Sequence, residues 1–128
     1  MREVISTPGA PAAVGAYSQA IRAGDLVFTA GQLGVDPSSG EFAGDDVAGQ
    51  AEQALANLAA ILEAAGSGLD RLVKVTVFLA DITDWPALNE VYSRVVPEPF
   101  PARSAFAVKD LPKGGRVEIE AVATVGPG

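Results

Sequence analysis

Apolar residues recur at steps of three and four in two stretches of this chain, and each stretch predicts an amphipathic helix. The first helix begins after Asp45 or Asp46, either of which is a suitable N-cap residue, and ends at Gly66. The second begins after the cap residue Asp84 and ends before Pro97. One face of this second helix carries the side chains of Trp85, Leu88, Val91, Tyr92, Val95 and Val96.

Other stretches have the β-branched and apolar composition of strands and are bounded by turn-forming residues. They lie near residues 16–22, 26–31, 72–80, 102–108 and 116–125. The stretch 72–80 is almost continuously apolar, as expected of a strand that is covered on both faces. The order ββαβαββ predicts one α+β domain over residues 1–128, in which two helices cover one face of a single mixed sheet.

The alternation of side chains along these strands predicts which residues share a face of the sheet. In the last strand, Glu118 and Glu120 point away from the apolar core positions. We assign to the same helix-free face the residues Phe78, Ala80, Arg103, Ala105, Ala107 and Val122. A monomer would not usually expose so many apolar groups together, so a second copy of the chain is the simplest cover for this face.

The composition limits the chemistry that this protein can perform. The chain has no histidine and no cysteine, which removes imidazole bases, thiolate nucleophiles and the usual zinc ligands. Because the sequence also has no phosphate-binding glycine loop, we expect neither a metal ion nor another cofactor. The formal net charge is −7, and the basic residues are scattered along the chain. Nucleic acid is thus not an expected partner, because phosphate binding requires clustered lysine and arginine.

The location of the protein is predicted from its hydrophobic runs. No run approaches the ~18 apolar residues of a membrane span. The N-terminal segment, residues 1–10, also has no signal-peptide core. We expect a cytoplasmic protein with no membrane partner.

Arg103 is the one charged residue in the strand-like stretch 100–108, and it has two interpretations. It can form a plain ion pair with Glu118 or Glu120, and exposed pairs of this kind contribute only about 0–1 kcal/mol. Alternatively, its planar guanidinium can bind a substrate carboxylate through two parallel hydrogen bonds. A glutamate can then orient a water molecule and accept its proton. Alternation places Glu118 and Glu120 on the same face, so periodicity does not choose between them.

Several short segments, in order and without a large gap, resemble the RidA (YjgF) family of reactive enamine/imine deaminases. They are GAYSQAI, AGQLGVDPSSG, LVKVTVFLAD, NEVY, FPARSAF and LPKGGRVEIEAVA. The resemblance implies a chorismate-mutase-like fold and a homotrimer with active sites between subunits. It also implies hydrolysis of 2-aminoacrylate and related imines to 2-oxo acids and ammonia, without metal or cofactor.

The resemblance also assigns roles to particular residues. Arg103 corresponds to the carboxylate-binding arginine, and Glu118, the first glutamate of VEIEA, to the glutamate that positions water. The other pocket positions are Tyr17, Gly31, Asn89 and Ala105. Many members have cysteine at the position of Ala105 and serine at that of Ala30, so that a thiol role is excluded here and one hydroxyl contact is missing.

Two other functions are compatible with the sequence. The trimer could bind small 2-oxo acids, or present a chaperone-like surface, without catalysis. Some members are linked to endoribonuclease activity or inhibition of translation, but the acidic charge and the absence of histidine argue against these activities.

Overall fold

A computed structural model describes residues 1–126 of the chain; Pro127 and Gly128, the last two residues of the predicted domain, lie outside the described residues. The strands are β1 (Arg2–Ile5), β2 (Ala20–Ala23), β3 (Leu26–Thr29), β4 (Gln32–Leu33), β5 (Leu72–Leu79), β6 (Ala102–Ala107) and β7 (Val117–Thr124). The helices are α1 (Val47–Ala64) and α2 (Trp85–Val95). The predicted helices and strands are all present, although the strand predicted near 16–22 is shifted to Ala20–Ala23, and β1 and β4 are additional.

All the strands belong to one mixed sheet with the order β1-β2-β3-β7-β5-β6, and the short β4 also pairs with β7. Strands β5 and β6 are parallel, whereas the other neighbouring strands are antiparallel. The parallel pair is connected through α2, as a crossover between parallel strands requires. The α+β fold predicted from the sequence is therefore confirmed.

Residues at the ends of the helices decide where each helix begins and ends. Of the two candidate caps for α1, Asp46 is the N-cap, and its Oδ1 accepts a hydrogen bond from the backbone N–H of Gly49 at 3.0 Å. After α1, Gly66 adopts a φ of 82°, a left-handed conformation that favours glycine. Asp84 is the N-cap residue of α2, but its side chain makes no capping hydrogen bond. It faces Arg116 instead, with 3.7 Å between Oδ2 and Nη1.

Both helices pack against the same face of the sheet. The core of this layer combines Leu55 and Leu58 of α1 with Leu88 and Val91 of α2. These side chains meet the buried side chains of the central strands, which are Val75, Val77, Leu79, Val117, Ile119 and Ala121. The predicted alternation of β7 is confirmed, because Glu118 and Glu120 are only partly buried whereas their neighbours in the strand are buried.

The predicted face of β6 is wrong. Arg103 pairs with Val75, Ala105 with Val77 and Ala107 with Leu79. Paired residues of a sheet point to the same side, so these three residues of β6 lie on the helix-bearing face. Ala105 accordingly packs against the core. Alternation within one strand shows which residues share a side, but the pairing with β5 decides which side that is.

The helix-free face carries aromatic side chains from three strands. Phe106 pairs with Phe78, and their rings meet edge to face with centroids 5.4 Å apart. Phe28 pairs with Val122 farther along the sheet. Phe28 and Phe106 are 44% and 45% exposed, so much of this apolar surface is open in the single chain. Within residues 1–126, neither helix is long and apolar enough to cross a membrane.

Candidate active site

Five of the six predicted site residues lie in two separate clefts of the protomer. The larger, of about 610 Å³, contains Tyr17, Gly31 and Glu118, and we call it the Glu118 cleft. Its remaining wall is mostly apolar and is formed by Pro11, Ala12, Val14, Ala30, Gln32, Leu33, Val35, Pro112 and Lys113. The smaller, of about 280 Å³, contains Asn89 and Arg103, and we call it the Arg103 cleft. Tyr92, Ser93, Phe100 and Pro101 complete its wall.

A break in strand pairing creates the Glu118 cleft. Strand β3 pairs with β7 up to Phe28, and pairing resumes in β4, where Gln32 lies opposite Ile119. Between them, the hydroxyl of Thr29 accepts a hydrogen bond from the backbone N–H of Ala121 at 3.0 Å. The chain at Ala30 and Gly31 is thus outside the regular ladder and lies beside Glu118.

The Glu118 carboxylate packs directly against the backbone of Gly31. A Cβ atom on Gly31 would lie 2.9 Å from Glu118 Cδ and even closer to Oε2. Real Cβ atoms do not approach another heavy atom so closely, so glycine is required for this arrangement. The missing side chain of Gly31 thus permits the close approach of the Glu118 carboxylate; that this position also admits a ligand stays a prediction.

The environment of Glu118 favours its neutral form more than water does. Partial burial raises the pKa of Glu118 above its ordinary value of 4.5, and the negative charge of Glu120 raises it further. Both glutamates point to the helix-free face, where Phe78 pairs with Glu118 and Thr76 with Glu120. A carboxyl group with a raised pKa is a better proton acceptor at neutral pH than an ordinary glutamate, provided that it is still ionised.

The loop that carries Tyr17 is anchored by a buried amide. Gln19 is 3% exposed, and its Oε1 accepts a hydrogen bond from the N–H of Thr7 at 2.7 Å. Its Nε2 donates to the carbonyl of Pro11 at 2.8 Å. Tyr17 itself is 54% exposed, and its hydroxyl accepts a 3.4 Å hydrogen bond from the N–H of Val14. The loop thus presents the tyrosine at the open side of the Glu118 cleft.

In the Arg103 cleft, the guanidinium lies against two aromatic rings of α2. Its Cζ atom is 4.7 Å from the ring centroid of Trp85 and 4.5 Å from that of Tyr92. These distances are within the range of cation–π contacts. The ion pair of Arg103 with Glu118 or Glu120, which was the alternative interpretation, is not formed, since the ion pairs found in residues 1–126 are Arg94–Glu52 and Arg116–Asp84.

Tyr92 combines a buried ring with an unsatisfied hydroxyl. The residue is 3% exposed, and its hydroxyl has no hydrogen-bond partner in the described part of the chain. Burial raises the pKa of Tyr92 above its ordinary value of 10.0, although the charge of Arg103 opposes this effect. The phenol is therefore neutral and offers an intact π face to the arginine.

The two clefts face opposite sides of the sheet. Arg103 lies on the helix-bearing side of β6 and Glu118 on the helix-free side of β7, with β5 between these strands. Glu118 is in register with Phe78 and hence with Phe106, which is three residues along β6 from Arg103. The two Cα atoms are therefore roughly 14 Å apart in the plane of the sheet, from strand and residue spacings of about 4.8 and 3.3 Å.

The surroundings of Arg103 include two residues that were predicted as site residues and two that were not. Asn89 lies in the second turn of α2 and lines the Arg103 cleft, as expected. Ala105 lines neither cleft; it is half-buried and lies two residues from Arg103 in β6. Trp85 and Tyr92 were predicted only as part of an apolar helix face. No pattern in the sequence distinguished them from core residues. Side chains on one helix face have the same spacing whether they pack in the core or contact an arginine.

The fold and the clefts place this protein among the small α+β proteins that have one mixed sheet and both helices on one face of it. Residues 7–125 match the family described as Endoribonuclease L-PSP. The chain belongs to this family, which is the RidA family that the sequence resembles.

Named relatives are similar over nearly the whole chain. A 2-iminobutanoate/2-iminopropanoate deaminase of Bos taurus is 51% identical over 127 residues, which cover 99% of this chain and 93% of the relative. The structure of RidA from the Antarctic bacterium Psychrobacter sp. PAMC 21119 matches with a TM-score of 0.93 at 48% identity, and covers 96% of this chain and 99% of that one. The structure of E. coli TdcF with bound serine matches with a TM-score of 0.92 at 40% identity, over 97% and 99% of the two chains.

Proposed function

We propose that this protein hydrolyses reactive 2-imino acids, such as the imine tautomer of 2-aminoacrylate, to 2-oxo acids and ammonia. The observation that carries this proposal is the state of Arg103 in its cleft. Its guanidinium is held on two ring faces and forms no ion pair with a carboxylate of residues 1–126. It is therefore able to bind the carboxylate of a small ligand. The names of close relatives support this substrate class.

The proposed reaction needs only groups that the chain provides. Arg103 binds the substrate carboxylate, and the ionised Glu118 orients a water molecule and takes its proton. The water oxygen bonds to the imine carbon as the C=N π electrons move to nitrogen, which takes up the proton held by Glu118. The hydroxyl proton of the resulting carbinolamine is transferred to the nitrogen through Glu118, and ammonia leaves as the C–N bond breaks and the C=O bond of the 2-oxo acid forms. Positioning and electrostatic stabilisation supply the acceleration, without a metal or cofactor.

The active form that we propose is a homotrimer with sites between subunits. A 2-imino acid carries its carboxylate on the carbon that water attacks, so it cannot reach two groups on opposite faces of one sheet roughly 14 Å apart. The Arg103 cleft of one protomer facing the Glu118 cleft of another would bring both groups to one ligand. The exposed aromatic residues of the helix-free face support such an assembly.

The remaining predicted residues have supporting roles in this proposal. Tyr17 forms a wall of the site and donates a hydrogen bond to the ligand, and Gly31 admits the Glu118 carboxylate. Asn89 contributes a polar group beside Arg103. Ala105, which lines neither cleft in the single protomer, contributes through its backbone N–H. We further propose that the protein acts in the cytoplasm and that it requires neither nucleic acid nor membrane.

A coupled assay tests the proposed activity. A serine or cysteine lyase that generates 2-aminoacrylate is mixed with the purified protein, and the release of ammonia and pyruvate is followed. The expected result is faster product release than with the lyase alone and no loss of activity in EDTA. An unchanged rate, together with measurable binding of 2-oxobutanoate, would favour a non-catalytic binding protein. RNA cleavage that persists through purification would favour the endoribonuclease interpretation.

A further inference from the structure

Arg103 reaches its cleft from an edge strand, and two rings of a different element limit its orientation. β6 is the last strand of the sheet, and it has only β5 as a neighbour. An arginine side chain is long and loses substantial rotamer freedom when it is fixed. The contacts of Cζ with Trp85 and Tyr92 provide an energetic preference for one position of the guanidinium.

Contact through the ring faces leaves the hydrogen-bond donors of the guanidinium available. The guanidinium carries five N–H donors in a planar fork. In the described part of the chain, the arginine side chains that donate hydrogen bonds are those of Arg22, Arg71, Arg94 and Arg116. Arg103 is not among them, so its planar fork remains available for a carboxylate.

The two rings are seven residues apart on α2, which corresponds to two helical turns and about 10.5 Å of rise. Both nevertheless approach one guanidinium carbon, so they contact it from different positions along the helix. Tyr92 keeps this position although its buried hydroxyl has no partner in residues 1–126, an arrangement that costs free energy. Leucine would fill this space without an unpaired hydroxyl, and only an aromatic residue also provides a π face.

We propose that Trp85 and Tyr92 are positioning residues that hold the Arg103 guanidinium in the orientation needed to bind the substrate carboxylate. This inference rests on the proposed function, since it assigns the rings to the carboxylate-binding half of the same site. It predicts that loss of either π face weakens carboxylate binding and leaves the subsequent chemical step largely unchanged.

The experiment compares Trp85→Leu and Tyr92→Leu with variants that keep an aromatic ring, Trp85→Phe and Tyr92→Phe. Arg94→Ala serves as a matched control on the same helix, because Arg94 forms an exposed ion pair with Glu52 outside both clefts. Three quantities are measured on the folded proteins. They are the Arg103 Nε–Hε signal in ¹⁵N NMR spectra, the Kd of 2-oxobutanoate by calorimetry, and KM and kcat in the coupled assay.

We expect the leucine variants to raise Kd and KM roughly three- to thirtyfold, the range that corresponds to loss of one cation–π contact. We expect kcat to change less than threefold. The Arg103 signal should lose its ring-current shift and its slow exchange with water. The phenylalanine variants should recover most of the binding, and Arg94→Ala should resemble the wild type.

Two results would overturn the inference. One is a folded leucine variant with wild-type Kd and an unchanged Arg103 signal. The other is an equal loss of binding in the leucine and phenylalanine variants, which would show that shape and not the π face matters. Failure of the proposed function is distinguishable from both: the wild-type protein would then neither bind 2-oxobutanoate nor accelerate deamination, whatever the NMR signal of Arg103.

Discussion

Gly31 and Glu118 occupy space that only a glycine allows them to share, since a Cβ on Gly31 would lie 2.9 Å from the carboxyl carbon of Glu118. Gly31 lies in the break between β3 and β4, and Glu118 lies on β7, the strand that pairs with both. The position of the Glu118 carboxylate, the candidate water-binding group, therefore depends on the backbone of Gly31, which lies outside the regular ladder of strand hydrogen bonds.

Gly31→Ala should displace the Glu118 carboxylate. We expect kcat to fall about ten- to hundredfold, as is typical when a catalytic group moves by about 1 Å. The free energy of unfolding should change little, because the crowded atoms belong to a flexible, half-buried side chain that can move into the cleft. Gly44→Ala is the matched control, because the heavy atoms nearest its Cβ would be at 3.7 and 3.9 Å. Steady-state kinetics and thermal melts measure both effects. Full activity of Gly31→Ala would show that Glu118 tolerates displacement or has no catalytic role.

Arg103→Ala should weaken transition-state binding by about 2–4 kcal/mol, because it removes two charge-assisted hydrogen bonds to the substrate. This loss corresponds to a decrease of roughly 30- to 1000-fold in kcat/KM. Arg103→Lys should recover only part of the activity, since an ammonium group lacks the planar fork. The melting temperature and oligomeric state should remain close to those of the wild type. Near-normal deamination by folded Arg103→Ala would rule out the carboxylate-binding role.

The pH dependence of kcat/KM should report the titration of Glu118. The proposed role requires the ionised form, so activity should fall as the pH is lowered through a pKa above the ordinary 4.5. The charge of Glu120 contributes to this upward shift. Glu120→Gln should therefore move the acidic limb to lower pH, whereas Glu118→Gln should lower kcat and remove the limb. The measurement is a pH–rate profile corrected for spontaneous imine hydrolysis. A limb that is unchanged in Glu118→Gln would belong to another group.

Mixing two inactive variants should restore activity if the site lies between protomers. A closed trimer that contains both Arg103→Ala and Glu118→Gln protomers has one of its three sites intact, because that site takes each group from the unmutated chain. Random assembly at equal amounts should give about a quarter of the wild-type activity, since about three-quarters of the trimers are mixed. Co-expression with two affinity tags, followed by kinetics, measures this recovery. A trimer without recovery, or a monomer in sedimentation equilibrium, would contradict the shared site.

Asp46→Ala should destabilise the protein by about 1 kcal/mol, because it removes the side-chain acceptor for the first turn of α1. Asp45→Ala is the matched control, since Asp45 contributes only its backbone carbonyl, which accepts a hydrogen bond from Nε of Arg116 at 2.5 Å. Denaturant unfolding at fixed protein concentration compares the variants. Equal stability of the two alanine variants would show that the cap contributes little.

The two helices and the longer strands could be predicted from the sequence, because their signals are local. The period of apolar residues and the adjacent cap residues located α1 and α2. Strands β1 and β4 had no comparable signal, since three of the four residues of β1 are exposed and β4 has only two residues. Short segments such as these are strands only because a neighbouring strand provides the hydrogen bonds.

The identity of the candidate site residues followed from short motifs, but their arrangement did not. Periodicity could not choose between Glu118 and Glu120; the structure places Glu118 in the cleft with Gly31. Periodicity also gave no absolute face for Arg103. The parallel pairing of β6 with β5 through the α2 crossover decided that face, and it placed the guanidinium against Trp85 and Tyr92. Alternation along a strand is a local property, whereas the side of the sheet that a residue occupies depends on a partner strand distant in sequence.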